Sequence, residues 1–94
     1  MNIRRLLLDV DKAIARPSIL DIAKAVSGCT GVEGFNVRVG DIDIETVSMD
    51  VTVEGTNLDY EAIVRAIEGT GAVVHGLYQL AAGERVVEAE ERKR

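Results

Sequence analysis

Acidic side chains at strand-like spacing are the residues of this chain best suited to chemistry. Between Gly40 and Glu45 acidic and apolar residues alternate, so Asp41, Asp43 and Glu45 share one parity. In an extended strand such residues lie on one face, where three like charges repel unless water screens them or a cation binds. Hard cations such as Ca²⁺ and Mg²⁺ prefer oxygen ligands of this kind. The spacing therefore indicates a divalent-cation site, and the alternative is a solvated acidic rim that keeps a small domain soluble.

The elements that would position these carboxylates follow from the hydrophobic periodicity. Apolar residues recur at strand, helix, strand, strand, helix and strand spacing along residues 2–10, 18–28, 32–45, 48–54, 59–69 and 72–80. Ser18 and Asp59 are typical helix N-caps. This β-α-β-β-α-β order predicts an α+β, ferredoxin-like sandwich, in which two helices cover one face of a four-stranded antiparallel sheet. A change of parity at Gly40 predicts a bulge or a strand end.

The predicted topology brings separate parts of the chain to one end of the sheet. The end of the first strand carries Asp9 and Asp11, and the turn after the second strand carries the alternating carboxylates. We therefore predict a divalent-cation site, for Ca²⁺ or Mg²⁺, whose ligands are Asp9, Asp11, Asp41, Asp43 and Glu45. The same end holds His75, which is more simply interpreted as a partly buried histidine bonded to the backbone than as a ligand or a general base.

Composition limits the kinds of partner and location that the protein can have. The 94 residues carry a net charge of −5, which argues against nucleic acid and anionic membranes because both attract a basic face. A single cysteine, Cys29, excludes an internal disulfide and a paired-thiol motif. No apolar run approaches the ~20 residues of a membrane span, so we expect a cytoplasmic protein. Residues 1–84 are predicted to form one domain and residues 85–94 a charged tail.

Several segments together resemble a known family across nearly the whole chain. They are Leu6-Leu7-Leu8-Asp9-Val10, Asp41-Ile42-Asp43-Ile44-Glu45-Thr46, Val53-Glu54-Gly55, Asn57-Leu58-Asp59-Tyr60, Val73-Val74-His75 and Ala82-Gly83. Their order and spacing are similar to the archaeal family catalogued as domain of unknown function 211. The resemblance implies a ferredoxin-like fold, homo-oligomers, an archaeal cytoplasmic setting and bound calcium, but no established activity. After His75 this chain has Gly76-Leu77-Tyr78, where the family usually has a Ser-Ile-Asp run.

These observations favour a non-enzymatic binding or regulatory protein, because no nucleophile–base pair or cofactor motif is evident. The contiguous Leu6, Leu7 and Leu8 are apolar on both sides of the first strand, so we expect a homo-oligomer larger than a dimer to cover part of the sheet. The alternative is an effector-binding domain that resembles amino-acid-sensing modules, with a small-molecule ligand at a subunit interface.

Overall fold

Four strands and two helices follow one another in the predicted order. The computed structural model describes residues 1–90. Its elements are β1 (Ile3–Ala13), α1 (Ile19–Ser27), β2 (Val32–Ile42), β3 (Thr46–Gly55), α2 (Tyr60–Glu68) and β4 (Val73–Ala82). The strands form one antiparallel sheet in the order β2-β3-β1-β4. The α+β, ferredoxin-like arrangement is therefore confirmed, and β1 is a central strand, as its leucines predict.

Both helices begin at the predicted caps. The Asp21 amide donates to Ser18 Oγ at 3.1 Å, and the Ser18 amide donates to Asp21 Oδ2 at 3.0 Å. At the start of α2 the Ala62 amide donates to Asp59 Oδ1 at 3.1 Å. These bonds satisfy amide groups that have no partner within the helix. The two helices of the described chain, at nine residues each, are not long enough to cross a membrane.

The two faces of the sheet differ in polarity. Leu6, Leu8 and Val10 of β1 face the helices and are fully buried. The packed core also includes Ile22, Val26, Met49, Val51, Val53, Ile63 and Ile67. The other face of β1 carries Arg5, Leu7, Asp9 and Asp11, all partly exposed. We call this the open face, and its one large apolar residue on β1 is Leu7.

Strand β4 departs from regular pairing at two places that matter for the site. Its register against β1 shifts three times, and two of these shifts skip a residue of β4, namely His75 and Tyr78. As a result Val74, Leu77 and Leu80 all lie opposite buried residues of β1, although three-residue spacing would alternate their faces in a regular strand. Bulges of this kind re-aim side chains, and here they turn His75 and Tyr78 towards the open face.

Arg5 of β1 joins the first part of the predicted tail to the sheet through an ion pair with Glu88. Arg5 Nε lies 2.7 Å from a carboxylate oxygen of Glu54, and Arg5 Nη1 lies 2.8 Å from Glu88 Oε1. The Arg5 guanidinium lowers the pKa of the Glu88 carboxyl group. Arg4 Nη1 also donates to the Glu84 carbonyl at 3.1 Å. Residues 91–94 of the predicted tail lie outside the described residues.

Candidate cation-binding site

Two aspartates face each other across neighbouring strands at the middle of the open face. Asp9 of β1 is the register partner of Asp50 of β3. Side chains in directly opposite positions have Cβ atoms about 4.5–5.5 Å apart, and like charges there destabilise the sheet. Asp11 lies two residues further along the same face of β1. The register partner of Asp50 on its other side is Arg38 of β2, which places one cationic side chain at the border of this group.

Asp11 is the more fully bonded of the two β1 carboxylates. Ser48 Oγ donates to its Oδ1 at 3.0 Å, and His75 Nε2 lies 2.9 Å from its Oδ2. The prediction of a partly buried, backbone-bonded histidine was wrong, because the bulge in β4 directs an exposed imidazole towards the carboxylate. The Ser48 hydroxyl bonds to the carboxylate and not to the imidazole, so the serine–histidine contact that activates a nucleophile is not formed.

The Tyr78 phenol lies against the aspartates of the open face, and its pKa depends on their charge. Its hydroxyl donates to Asp9 Oδ2 at 3.3 Å. The negative charge of Asp9 raises the pKa of the Tyr78 phenol, with smaller contributions from Asp50 and Asp11, because a phenolate beside carboxylates is disfavoured. The pKa of the Tyr78 phenol can therefore be used to measure the negative potential on the open face.

We expect Asp9→Asn to lower the Tyr78 pKa towards that of an ordinary phenol. The substitution removes the principal charge that opposes ionisation and leaves an amide oxygen that can still accept the hydrogen bond. A spectrophotometric titration of phenolate absorbance measures the change, and Tyr78→Phe identifies the contribution of the other tyrosine, Tyr60. An unchanged Tyr78 titration would show that Asp9 is not the source of the shift.

The carboxylates of the β2–β3 connection have a different role. Asp43 Oδ1 accepts the amides of Glu45 and Thr46, each at 2.9 Å, and the Asp43 amide donates to the Thr46 carbonyl at 2.9 Å. These bonds lower the Asp43 pKa. An aspartate that accepts amides two and three residues ahead shapes a turn. Asp43 therefore holds the connection in place, and we call residues 41–45 the hairpin tip.

The five predicted ligands fall into two groups: Asp9, Asp11 and Glu45 form the first, and Asp41 and Asp43 form the second. Asp11 and Glu45 border one shallow depression together with His75, next to Asp9 on β1. Asp41 is exposed within the irregular pairing between Val39 and Ile42, as the parity change at Gly40 predicted. Within residues 1–90, no three carboxylate, imidazole or thiol side chains form a group that could hold a metal ion.

The sequence interpretation left two residues of this site out of its ligand set. Asp50 has the outward parity of β3, but only the register of β3 against β1 shows that it opposes Asp9. Tyr78 reaches the same carboxylate because of a bulge that hydrophobic periodicity does not reveal. The period-two pattern of β3 was the available signal for Asp50, whereas no comparable signal marked Tyr78.

Comparison with known proteins identifies one family and one curated relative, and both are described as uncharacterized. The model of a family described as "Uncharacterized ArCR", which is domain of unknown function 211, matches residues 4–94. An uncharacterized protein of Methanocaldococcus jannaschii is 37% identical over 87 residues, which cover 93% of this chain and 89% of that protein. The family match spans both groups of carboxylates and, apart from Ile3, all six helices and strands. Neither description names an activity.

Proposed function

The chain belongs to the family called domain of unknown function 211, and on that premise we propose a function from the geometry of the open face. The protein is a non-enzymatic binding or regulatory protein that assembles as a homo-oligomer in the cytoplasm. Its open face binds a divalent cation, with Ca²⁺ as the ion. Asp9 and Asp50 are the two protein ligands of this proposed site, and Asp11 lies beside Asp9 on the same face of β1.

The observation that carries the cation proposal is the placement of Asp9 opposite Asp50. The pairing of β1 with β3 holds the two carboxylates directly opposite each other. They therefore repel each other more strongly in the folded chain than in the unfolded chain. A divalent ion between them would offset that repulsion. Calcium accepts water and carbonyl oxygens beside carboxylates, so two carboxylates with water in the remaining positions form a reasonable coordination shell.

The proposal of an oligomer is supported by apolar side chains that the single chain leaves exposed. Leu77 and Leu80 are 38% and 41% exposed on β4, and Ile42 and Ile44 are 67% and 91% exposed near the hairpin tip. These two pairs lie at opposite edges of the sheet, and exposed apolar patches mark surfaces that bind other proteins. We expect light scattering to give a species larger than a dimer, and a stable species near the chain mass of 10.1 kDa would contradict the proposal.

We expect millimolar Ca²⁺ to raise thermal stability more than NaCl of equal ionic strength does. A ligand that binds only the folded state stabilises it by about 2.7 kcal/mol at a hundredfold excess over its dissociation constant. Simple screening acts equally with monovalent salt. Calcium should also lower the pKa of the Tyr78 phenol, because an ion at Asp9 neutralises the charge that raises it. Thermal unfolding and phenolate titration thus give two independent readouts.

Four variants locate the calcium effect. Asp9→Asn should abolish the calcium-specific shift, whereas Asp41→Asn and Asp43→Asn, both in the hairpin tip, should retain it. Glu61→Gln removes one negative charge from the first turn of α2 and serves as the control for net charge. If the tip variants abolish the shift and Asp9→Asn does not, the ion is bound at the tip. If the unaltered protein shows no shift beyond that of salt, the carboxylates are a solvated surface.

A second candidate is an effector-binding domain, and the depression beside Asp11 favours it. The depression is bordered by Lys12, Glu45 and His75, and the imidazole side chain is 55% exposed while Asp11 holds its Nε2 atom. Charged groups of both signs around one hollow would suit a small polar ligand. Native mass spectrometry of protein purified without chelator distinguishes the candidates, because it reports subunit number, retained calcium and any retained organic molecule together.

A further inference from the structure

We propose that copies of this chain contact one another by inserting the hairpin tip of one copy into an apolar groove of the next. This inference rests on the proposed homo-oligomer and names the surfaces that form it. The groove lies between the start of α1, the end of β2 and the start of β3. Its apolar lining is Ile14, Ile19, Leu20, Val39, Ile42 and Val47.

The inserted group is the side chain of Ile44. It is 91% exposed, at the end of the hairpin, in a turn that Asp43 holds through two backbone hydrogen bonds. A large aliphatic side chain held so far from its own core gains nothing from the fold of a single chain. Because the turn is fixed before contact, little conformational entropy would be lost when the tip is inserted.

The groove is apolar enough to bind the side chain of Ile44. Leu20 and Ile42 are 70% and 67% exposed, and Ile14 is 49% exposed. With Ile44 they form a surface on the order of a few hundred Å², which is the size of patch that marks interaction sites on single chains. A stable interface buries about 800 Å² on each partner. The tip and the groove therefore form the apolar centre of a larger contact between copies.

Charge favours a second copy as the occupant of the groove. Three exposed carboxylates, Asp41, Asp43 and Glu45, surround Ile44 at the tip. The groove is bordered by Lys12, whose Nζ is held by the carbonyl groups of Ala13 and Ile14.

Two further cations lie beside the groove. Arg16 and Lys24 are exposed, and Lys24 stands four residues after Leu20, on the same side of α1. Asp21 offsets part of this positive charge.

The acidic tip of one copy is complementary to the cations beside the groove of the next copy. Ile44 is not among the residues that line the groove, although Ile42 of the tip is. Each copy can therefore donate its Ile44 and accept that of another copy, and the contact can repeat until a ring closes.

Cross-linking between two single-cysteine variants tests the contact. Ile44→Cys and Leu20→Cys are each made in a Cys29→Ser background, co-expressed with different tags and mildly oxidised. We expect a reducible dimer that carries both tags to be the main cross-linked product. The control replaces Leu20→Cys with Val87→Cys, which is similarly exposed at 72% and follows β4 at the opposite end of the sheet, and it should give little cross-linked product.

Size measurements separate failure of this inference from failure of the oligomer. Ile44→Glu and Leu20→Glu should each shift the assembly to smaller species with unchanged circular dichroism, whereas Val87→Glu should leave its size unaltered. If the unaltered protein is monomeric, the proposed oligomer and this contact both fail. If it is oligomeric but Ile44→Glu keeps its full size and the 44–20 cross-link does not form, the oligomer stands and this contact is overturned.

Discussion

Gly55→Ala is expected to destabilise the fold by about 3 kcal/mol or more. Gly55 is buried at the end of β3, and an added Cβ would overlap the carbonyl oxygen of Gly31. That oxygen cannot move away easily, because it accepts the Thr56 amide at 3.0 Å and Gly31 itself has a positive φ of 87°. Relief of the overlap would require the start of β2 to separate from β3. A reduced urea midpoint with an unchanged slope measures the loss.

Gly34→Ala is the matched control for this substitution. Gly34 lies on β2 three residues after Gly31, and an added Cβ there would meet no atom within 4 Å. Alanine also restricts the unfolded chain, so the expected effect is neutral or stabilising by about 0.5 kcal/mol. A loss for Gly55→Ala no greater than the change for Gly34→Ala would show that the β2–β3 backbone contact is looser than described.

Leu8→Ala is expected to destabilise the protein by about 3 kcal/mol, because it removes a fully buried side chain from the centre of the core and leaves a cavity. Urea unfolding monitored by circular dichroism gives the value. The informative comparison is Leu7→Ala, one residue away on the open face, where the side chain is only partly buried. If Leu7→Ala costs as much as Leu8→Ala, the open face is covered in the assembled protein. A small loss for Leu8→Ala would contradict the assignment of β1 to the core.

The fold could be predicted because local signals agreed along most of the chain. Ser18 and Asp59 are caps by residue type, and both accept the expected amides. β3 alternates without interruption, so Met49, Val51 and Val53 were recognisable as core residues. The strand ends were less accurate: β1 continues to Ala13 and β4 to Ala82, because pairing with neighbouring strands extends both beyond their apolar runs.

The candidate site was only partly predictable because it depends on register. Sequence parity places Asp9 and Asp50 on the outer sides of their strands, but it does not show that they stand opposite each other. Asp43 was predicted as a ligand from its spacing, whereas the folded chain uses its carboxylate to fix a turn. In β4 the three-residue spacing of Val74, Leu77 and Leu80 resembles a helical pattern, and only the two bulges place them on one face.

The two bulges in β4 also affect how the sheet behaves when many copies are crowded together. β4 is an outer strand, and a regular outer strand of ten residues presents unpaired amide and carbonyl groups that can template another strand. The skipped residues, His75 and Tyr78, interrupt the spacing of those groups within a few residues of each other. An incoming strand would therefore lose register twice. The same irregularities that direct two side chains to the open face protect this edge against uncontrolled growth into fibrils.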